Sequence, residues 1–226
     1  MKLGEIYRFA VQLAKDNDPR TAEELEDDLS RVEERYRKMD QEERSFFDAD
    51  ALWNPYADSR LVHGDPEREI GTVMWGIDIG TSELLLADRL RERGRRIDAV
   101  IGHHPMGRAR PKYGEVLHLQ EYMFAQMGMP ITLAEDILAP RIKEVHRNNA
   151  PSNYDQAVDA ARLLDIPLMC LHSVTDNLVD RFLNDLMEER APKRVEDLIS
   201  VLMEQPEYRH AAANNNPPEV YVGDRK

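Results

Sequence analysis

The sequence has very little of several things that would define a class of protein. It has one cysteine, Cys170, in 226 residues, so an internal disulfide cannot form and we expect a reducing, cytoplasmic compartment. It has no run of about 20 apolar residues, which a membrane span requires, and no apolar signal core at its N-terminus. Lys and Arg number 30 against 43 Asp and Glu, a net charge of -13. Because general nucleic-acid binders depend on clustered basic side chains, that function is not expected.

The N-terminal part of the chain has a helical pattern. We expect residues 1–60 to form a helical N-terminal extension and residues 61–226 to form an α/β metal-binding domain. Thr21 and Glu24 match a capping box at the start of the second helix, and residues 53–64 have the composition of an irregular connection. Two apolar stripes at spacings of three and four residues would pack on the body of the protein: Ile6, Phe9, Ala10 and Leu13, then Leu25, Leu29, Val32 and Tyr36.

Strand and helix patterns alternate in the rest of the chain. A helix capped by Thr81 or Ser82 and ended by Gly94 follows the first strand pattern, and another helix is capped by Asn153. Such alternation predicts a layered α/β fold with parallel strand–helix–strand units and right-handed crossovers. The apolar runs that indicate strands are residues 72–78, 98–102, 130–134 and 166–171.

Two adjacent histidines, His103 and His104, end one of these apolar strands, and Pro105 follows them. Another strand ends in His172, with Asp176 four residues later. Open α/β sheets place their chemistry at the carboxyl ends of parallel strands, so these side chains should converge. Imidazole and carboxylate groups bind divalent zinc, iron or manganese. Because neighbouring strand residues point to opposite faces, the pair binds one ion only if the backbone bends, or serves two ions about 3.5–4 Å apart.

Other roles for three acidic and basic residues near these strand ends remain open. Asp176 lies where a helix begins, where carboxylates commonly act as caps. His172 could be a ligand, a residue that orients a ligand, a proton donor or a residue at the edge of the core. Asp78, at the end of the earlier strand, is a further candidate for orienting a ligand.

Three basic residues, Arg108, Arg110 and Lys112, follow the histidine pair within eight residues. They could form an ordinary solvated loop. Alternatively, they could bind a phosphate or carboxylate group of an anionic substrate, because guanidinium groups pair well with such anions.

The two histidine segments together resemble a known family. Residues 76–78 and 99–106 resemble the first motif of the Nif-three-like family, also called GTP cyclohydrolase I type 2 homologues. Residues 166–177 resemble its second motif, a histidine followed four residues later by aspartate. The resemblance covers about residues 61–200 and implies a dinuclear metal site in an α/β fold, within a homo-oligomer that is commonly a hexameric ring. It implies that His103 and His104 bind different ions, that Asp176 bridges them and that His172 lines the pocket.

The sequence departs from the family near its C-terminus. The family completes its site there with a further histidine and an acidic residue, whereas this sequence ends at Lys226 and His210 does not match. We therefore expect the C-terminal segment to be missing. The resemblance implies a metal-dependent hydrolase that acts on a small, nucleotide-like anion, with His172 moving the proton. The alternatives are a non-catalytic metal-binding protein that acts through partners and a degenerate structural relative.

Overall fold

A computed structural model describes residues 1–221 of the chain. It separates into two compact units, Met1–Leu178 and Val179–Lys226. In the described residues, no helix combines the length and the apolar character needed to cross a membrane. The α-helices are α1 (Leu3–Asp16), α2 (Ala22–Lys38), α3 (Gln41–Ser45), α4 (Thr81–Glu92), α5 (His118–Gln126), α6 (Ile131–Asn149), α7 (Gln156–Leu163), α8 (Ser173–Arg190), α9 (Val195–Met203) and α10 (Pro206–Ala213).

The first unit contains a four-stranded sheet in the order β1-β4-β3-β2. The strands are β1 (Ser59–His63), β2 (Val73–Gly76), β3 (Ala99–Gly102) and β4 (Leu168–Leu171). Strands β2, β3 and β4 are parallel, and β1 is antiparallel to β4. The mixed α/β fold and its parallel strand–helix–strand units are therefore confirmed.

The two central strands are buried on both faces, which explains their continuous apolar sequences. Side chains alternate between the faces of a strand, so each face contributes to a separate core. One core packs α4 and α7 against Val100, Leu168 and Cys170. The other packs α1 against Ala99, Ile101, Met169 and Leu171.

The N-terminal region is more closely integrated with the sheet than an extension would be. The expected boundary at residue 60 falls inside β1, and this strand replaces part of the irregular connection expected at residues 53–64. The buried face of α1 is also one residue away from the predicted stripe, because the sheet packs against Leu3, Tyr7, Val11 and Ala14. Phe9 of the predicted stripe is exposed. The capping box of Thr21 and Glu24 is confirmed.

Three local predictions in the α/β region are wrong. Residues 130–134 begin helix α6 and are not a strand, because the buried residues Ala134, Leu138 and Ile142 repeat every four residues, as a helix requires. Helix α4 is capped at Gly80, whose backbone N–H donates to the Glu83 carboxylate at 2.8 Å.

Helix α7 begins at Gln156, after its N-cap residue Asp155, and not at Asn153. Gly94 does end α4, with a φ of 80° that favours glycine.

Asp98 provides a pH-dependent contribution to stability at the start of β3. Its carboxylate accepts from Arg96 and from the backbone N–H groups of Gly71 and Thr72 at 2.7 and 2.8 Å. The Arg96 hydrogen bond first, and then the two backbone N–H groups, lower the Asp98 pKa to about 2, against the opposing effect of burial.

We therefore expect Asp98→Asn to destabilise the protein at neutral pH. Because the folded pKa lies below the unfolded value of about 3.9, the stabilisation is complete above that value and is lost as the pH falls towards 2. Urea unfolding of both proteins between pH 7 and pH 2 measures this difference. A difference that stays constant over that range would contradict the assignment.

Candidate functional site

The ends of β3 and β4 bring three histidines to one edge of the sheet. After β3, the backbone N–H groups of His103 and His104 still donate to the carbonyls of Gly76 and Ile77, both at 2.9 Å. After β4, the backbone N–H of His172 donates to Ser59 Oγ at 2.9 Å. The main chain that carries each imidazole is thus fixed by a neighbouring strand.

The three imidazole rings are in mutual contact. Ring centroids are 5.0 Å apart for His103 and His104, 4.6 Å for His103 and His172, and 5.8 Å for His104 and His172. One possible ligand nitrogen from each ring lies within 4.8 Å of those of the other two. The predicted convergence of the two strand ends is therefore observed, and the three rings are close enough to hold a metal ion.

The Nδ1 atoms of His103 and His104 each lie within hydrogen-bond distance of an oxygen atom. His104 Nδ1 is 2.6 Å from Asp78 Oδ1, a carboxylate that can only accept. His103 Nδ1 is 2.9 Å from Thr175 Oγ1, whose own hydrogen is directed to the carbonyls of Leu171 and His172. Both Nδ1 atoms therefore donate, which leaves the Nε2 lone pair of each ring free to bind a cation.

Helix α8 begins at Ser173, so Asp176 lies within its first turn and does not precede the helix. Its Oδ1 is 3.7 Å from His103 Nε2, and its Oδ2 is 3.4 Å from His172 Nδ1. In the described residues, the ligand atoms that lie within 4.8 Å of one another belong to the three histidines, and the half-exposed Asp176 carboxylate lies beside two of these rings.

His172 is half-buried between two carboxylates. Its Nδ1 is 3.0 Å from Asp58 Oδ2, although the atoms are not aligned for a hydrogen bond. Burial opposes the charged imidazolium, but Asp58 and then Asp176 outweigh it and raise the His172 pKa. For His103, burial first and the positive charge of His172 second lower the pKa.

Sequence reasoning missed Asp58, Thr175 and Tyr113, which lie against the histidines; the Tyr113 ring centroid is 5.1 Å from that of His172. Asp58, just before β1, contacts His172, and Thr175 contacts His103. Thr175 lies between His172 and Asp176 in the second motif, so the sequence alone could have indicated that its hydroxyl lies near the site. Asp58 was not predictable, because its partners lie far along the chain; Ser173, for example, is 115 positions away.

The three predicted substrate-binding cations separate in the structure. Arg108 donates to Asp48, to Asp50 and to the Leu61 carbonyl at 2.6 to 3.1 Å. Its guanidinium is therefore occupied by the protein itself.

Lys112 is exposed and lines, with Arg108, a cavity of about 600 Å³ beside Phe46 and Phe47. Arg110 donates to Asn149 Oδ1 at 3.0 Å, and its positive charge acts against protonation of His172. Of the three, Arg110 is the residue whose positive charge acts on the pKa of a site histidine, His172.

No protein-family profile and no curated protein matches the chain. A solved structure that is similar to it is the crystal structure of a NIF3 superfamily protein from Sphaerobacter thermophilus. The two are 32% identical with a TM-score of 0.62, and the match covers 75% of this chain and 60% of that one. The chain thus spans less than two thirds of that protein's length. Its mixed α/β fold matches that of a NIF3 superfamily protein.

Proposed function

We propose that the chain is a Nif-three-like protein and a metal-dependent hydrolase that acts on a small, nucleotide-like anion. The observation that carries this proposal is the meeting of three imidazoles and the Asp176 carboxylate at the carboxyl edge of the sheet. His103, His104 and Asp176 are the proposed ligands of two divalent ions, and His172 lines the pocket.

The residues fit a divalent ion on two counts. One nitrogen atom from each of the three imidazoles lies within 4.8 Å of the other two, so one ion can reach all three rings. Nε2 of His103 also lies 3.7 Å from Oδ1 of Asp176, so a nitrogen and an oxygen that can both bind a cation are neighbours. Nitrogen and oxygen donors of this kind suit zinc, iron and manganese.

The residues around the ligands have separate roles in the proposed hydrolysis. A bound divalent ion supplies Lewis acidity and lowers the pKa of a water molecule. His172 moves the proton in this proposal, and the carboxylates of Asp58 and then Asp176, which raise its pKa, suit that role. Arg110 offers a positive charge to an anionic group of the substrate.

A test of this proposal is hydrolysis of nucleoside triphosphates and phosphate esters by the zinc- and manganese-loaded protein. We expect Arg110→Ala to raise KM by about tenfold to a hundredfold, the effect of removing one hydrogen bond to a charged group. Lys112→Ala is the matched control and should leave KM unchanged, because Lys112 lines a different cavity.

A second candidate is a non-catalytic metal-binding protein that acts through partners. The engagement of Arg108 by Asp48 and Asp50 favours it, because a substrate clamp needs free donors. If the protein binds metal but hydrolyses none of the compounds, and if Arg110→Ala leaves metal content intact, this second function replaces the first.

A further inference from the structure

Asp58 is a completely buried carboxylate that no sequence motif indicated. Its side chain has 0% exposure. A buried carboxylate is costly unless it is hydrogen-bonded and has a positively charged or proton-donating partner. The partners of Asp58 therefore show what this residue does.

The neutral partners of Asp58 hold the carboxylate in place. Ser173 Oγ donates to Oδ2 at 2.7 Å, and the Ser173 backbone N–H lies 3.3 Å from the same oxygen. Ser59 Oγ donates to Oδ1 at 3.1 Å. These contacts place the carboxylate between the start of β1 and the start of α8.

His172 is the one basic side chain within 4 Å of Asp58 in the described part of the chain, with Nδ1 3.0 Å from Oδ2. Asp176 Oδ2 lies farther from the same Nδ1, at 3.4 Å, and belongs to a side chain that is 53% exposed, so the buried Asp58 is the closer carboxylate. Each of the three imidazoles then has an oxygen atom beside its Nδ1: Thr175 for His103, Asp78 for His104 and Asp58 for His172.

We propose that Asp58 is a positioning residue that holds His172 in the tautomer with hydrogen on Nδ1. The Nε2 lone pair of His172 is then directed to the same cluster as those of His103 and His104. This inference rests on the proposed metal site for its purpose, but the tautomer of His172 can be observed without metal. Asp58 differs from Asp78 because Asp78 is 82% exposed and can exchange its partner for water.

The test compares wild type with Asp58→Asn, which keeps the size of the side chain and removes its charge. We expect zinc affinity, measured by calorimetry, to fall by about tenfold to a hundredfold, as for other partners of metal-binding histidines. In the metal-free protein, at a pH well above the ordinary histidine pKa of about 6.5, ¹H–¹⁵N spectra should show His172 with hydrogen on Nδ1. In the variant the hydrogen should move to Nε2.

Asp78→Asn is the matched control, because it should weaken zinc binding through His104 while the His172 signals stay unchanged. A wild-type spectrum with hydrogen on Nε2 of His172 overturns the proposal even if the variant does not fold. An unchanged His172 tautomer in Asp58→Asn also overturns it. If wild type binds no zinc, the proposed function fails, and the spectra still decide the role of Asp58.

Discussion

Replacement of both His103 and His104 by alanine is expected to remove bound metal from the protein. The two residues supply the Nε2 atoms that Asp78 and Thr175 leave free. Without them, Asp176 is the one proposed ligand that remains, and it holds a divalent ion weakly even with His172 beside it, because affinity depends on ligand number. Elemental analysis of protein purified without chelator should give near-stoichiometric metal for wild type and none for the variant.

The control for this experiment is His210→Ala, an exposed histidine in α10. It should leave the metal content unchanged. Equal metal content in wild type and in the double variant would show that the ion is held elsewhere. If both are metal-free, even after addition of zinc or manganese, the histidine cluster has no metal function in this chain.

Asp48→Ala is expected to lower the free energy of unfolding by about 3–5 kcal/mol, the usual cost of removing one partner of a buried ion pair. Arg60 is 1% exposed, and its Nε donates to Asp48 at 2.6 Å. Burial opposes the charged form of Asp48, but Arg60 and then Arg108 outweigh it and lower its pKa. The variant would leave the Arg60 charge buried with backbone carbonyls as its nearest acceptors. Urea unfolding at pH 7 measures the loss.

Asp159→Ala is the matched control for the buried pair. Asp159 forms a similar ion pair with Arg162 at 3.0 Å, but both side chains are more than half exposed. Exposed pairs contribute little, so the control should change stability by less than about 1 kcal/mol. A similar small effect for Asp48→Ala would mean that Arg60 finds another partner or water.

The parts of the fold that the sequence predicted are those with local signals. Strands β3 and β4 are continuous apolar runs, and each ends at histidine, so their position and the convergence of their ends followed from the pattern. Strand β1 was missed because it contains Ser59 and Arg60, polar residues that are buried where β1 pairs with β4, more than a hundred residues later in the chain. Residues 130–134 were assigned to a strand because a five-residue apolar run fits either element, and only the later repeat at Leu138 and Ile142 shows a helix.

The same limit applies to the candidate site. The adjacency of His103 and His104 was enough to predict a metal-binding edge. The engagement of Arg108 was not predictable, because Asp48 and Asp50 precede it by about sixty residues. When the acceptors of a basic side chain belong to a distant segment, the sequence around that side chain does not show that it is already paired.

The pairing of β1 with β4 has a consequence for the order in which the protein takes shape during synthesis. Ser59 pairs with Leu171. Strand β1, the first strand to be synthesised, therefore cannot pair with β4 until β4, the last strand, has left the ribosome. Contacts between such distant segments form slowly, because a long loop must close first. When the chain has emerged as far as His104, just after β3, two of the three histidines are present, but His172 and Asp176 have not emerged and Asp58 lacks its imidazole partner. The histidine cluster is therefore one of the last features of the first unit to be assembled.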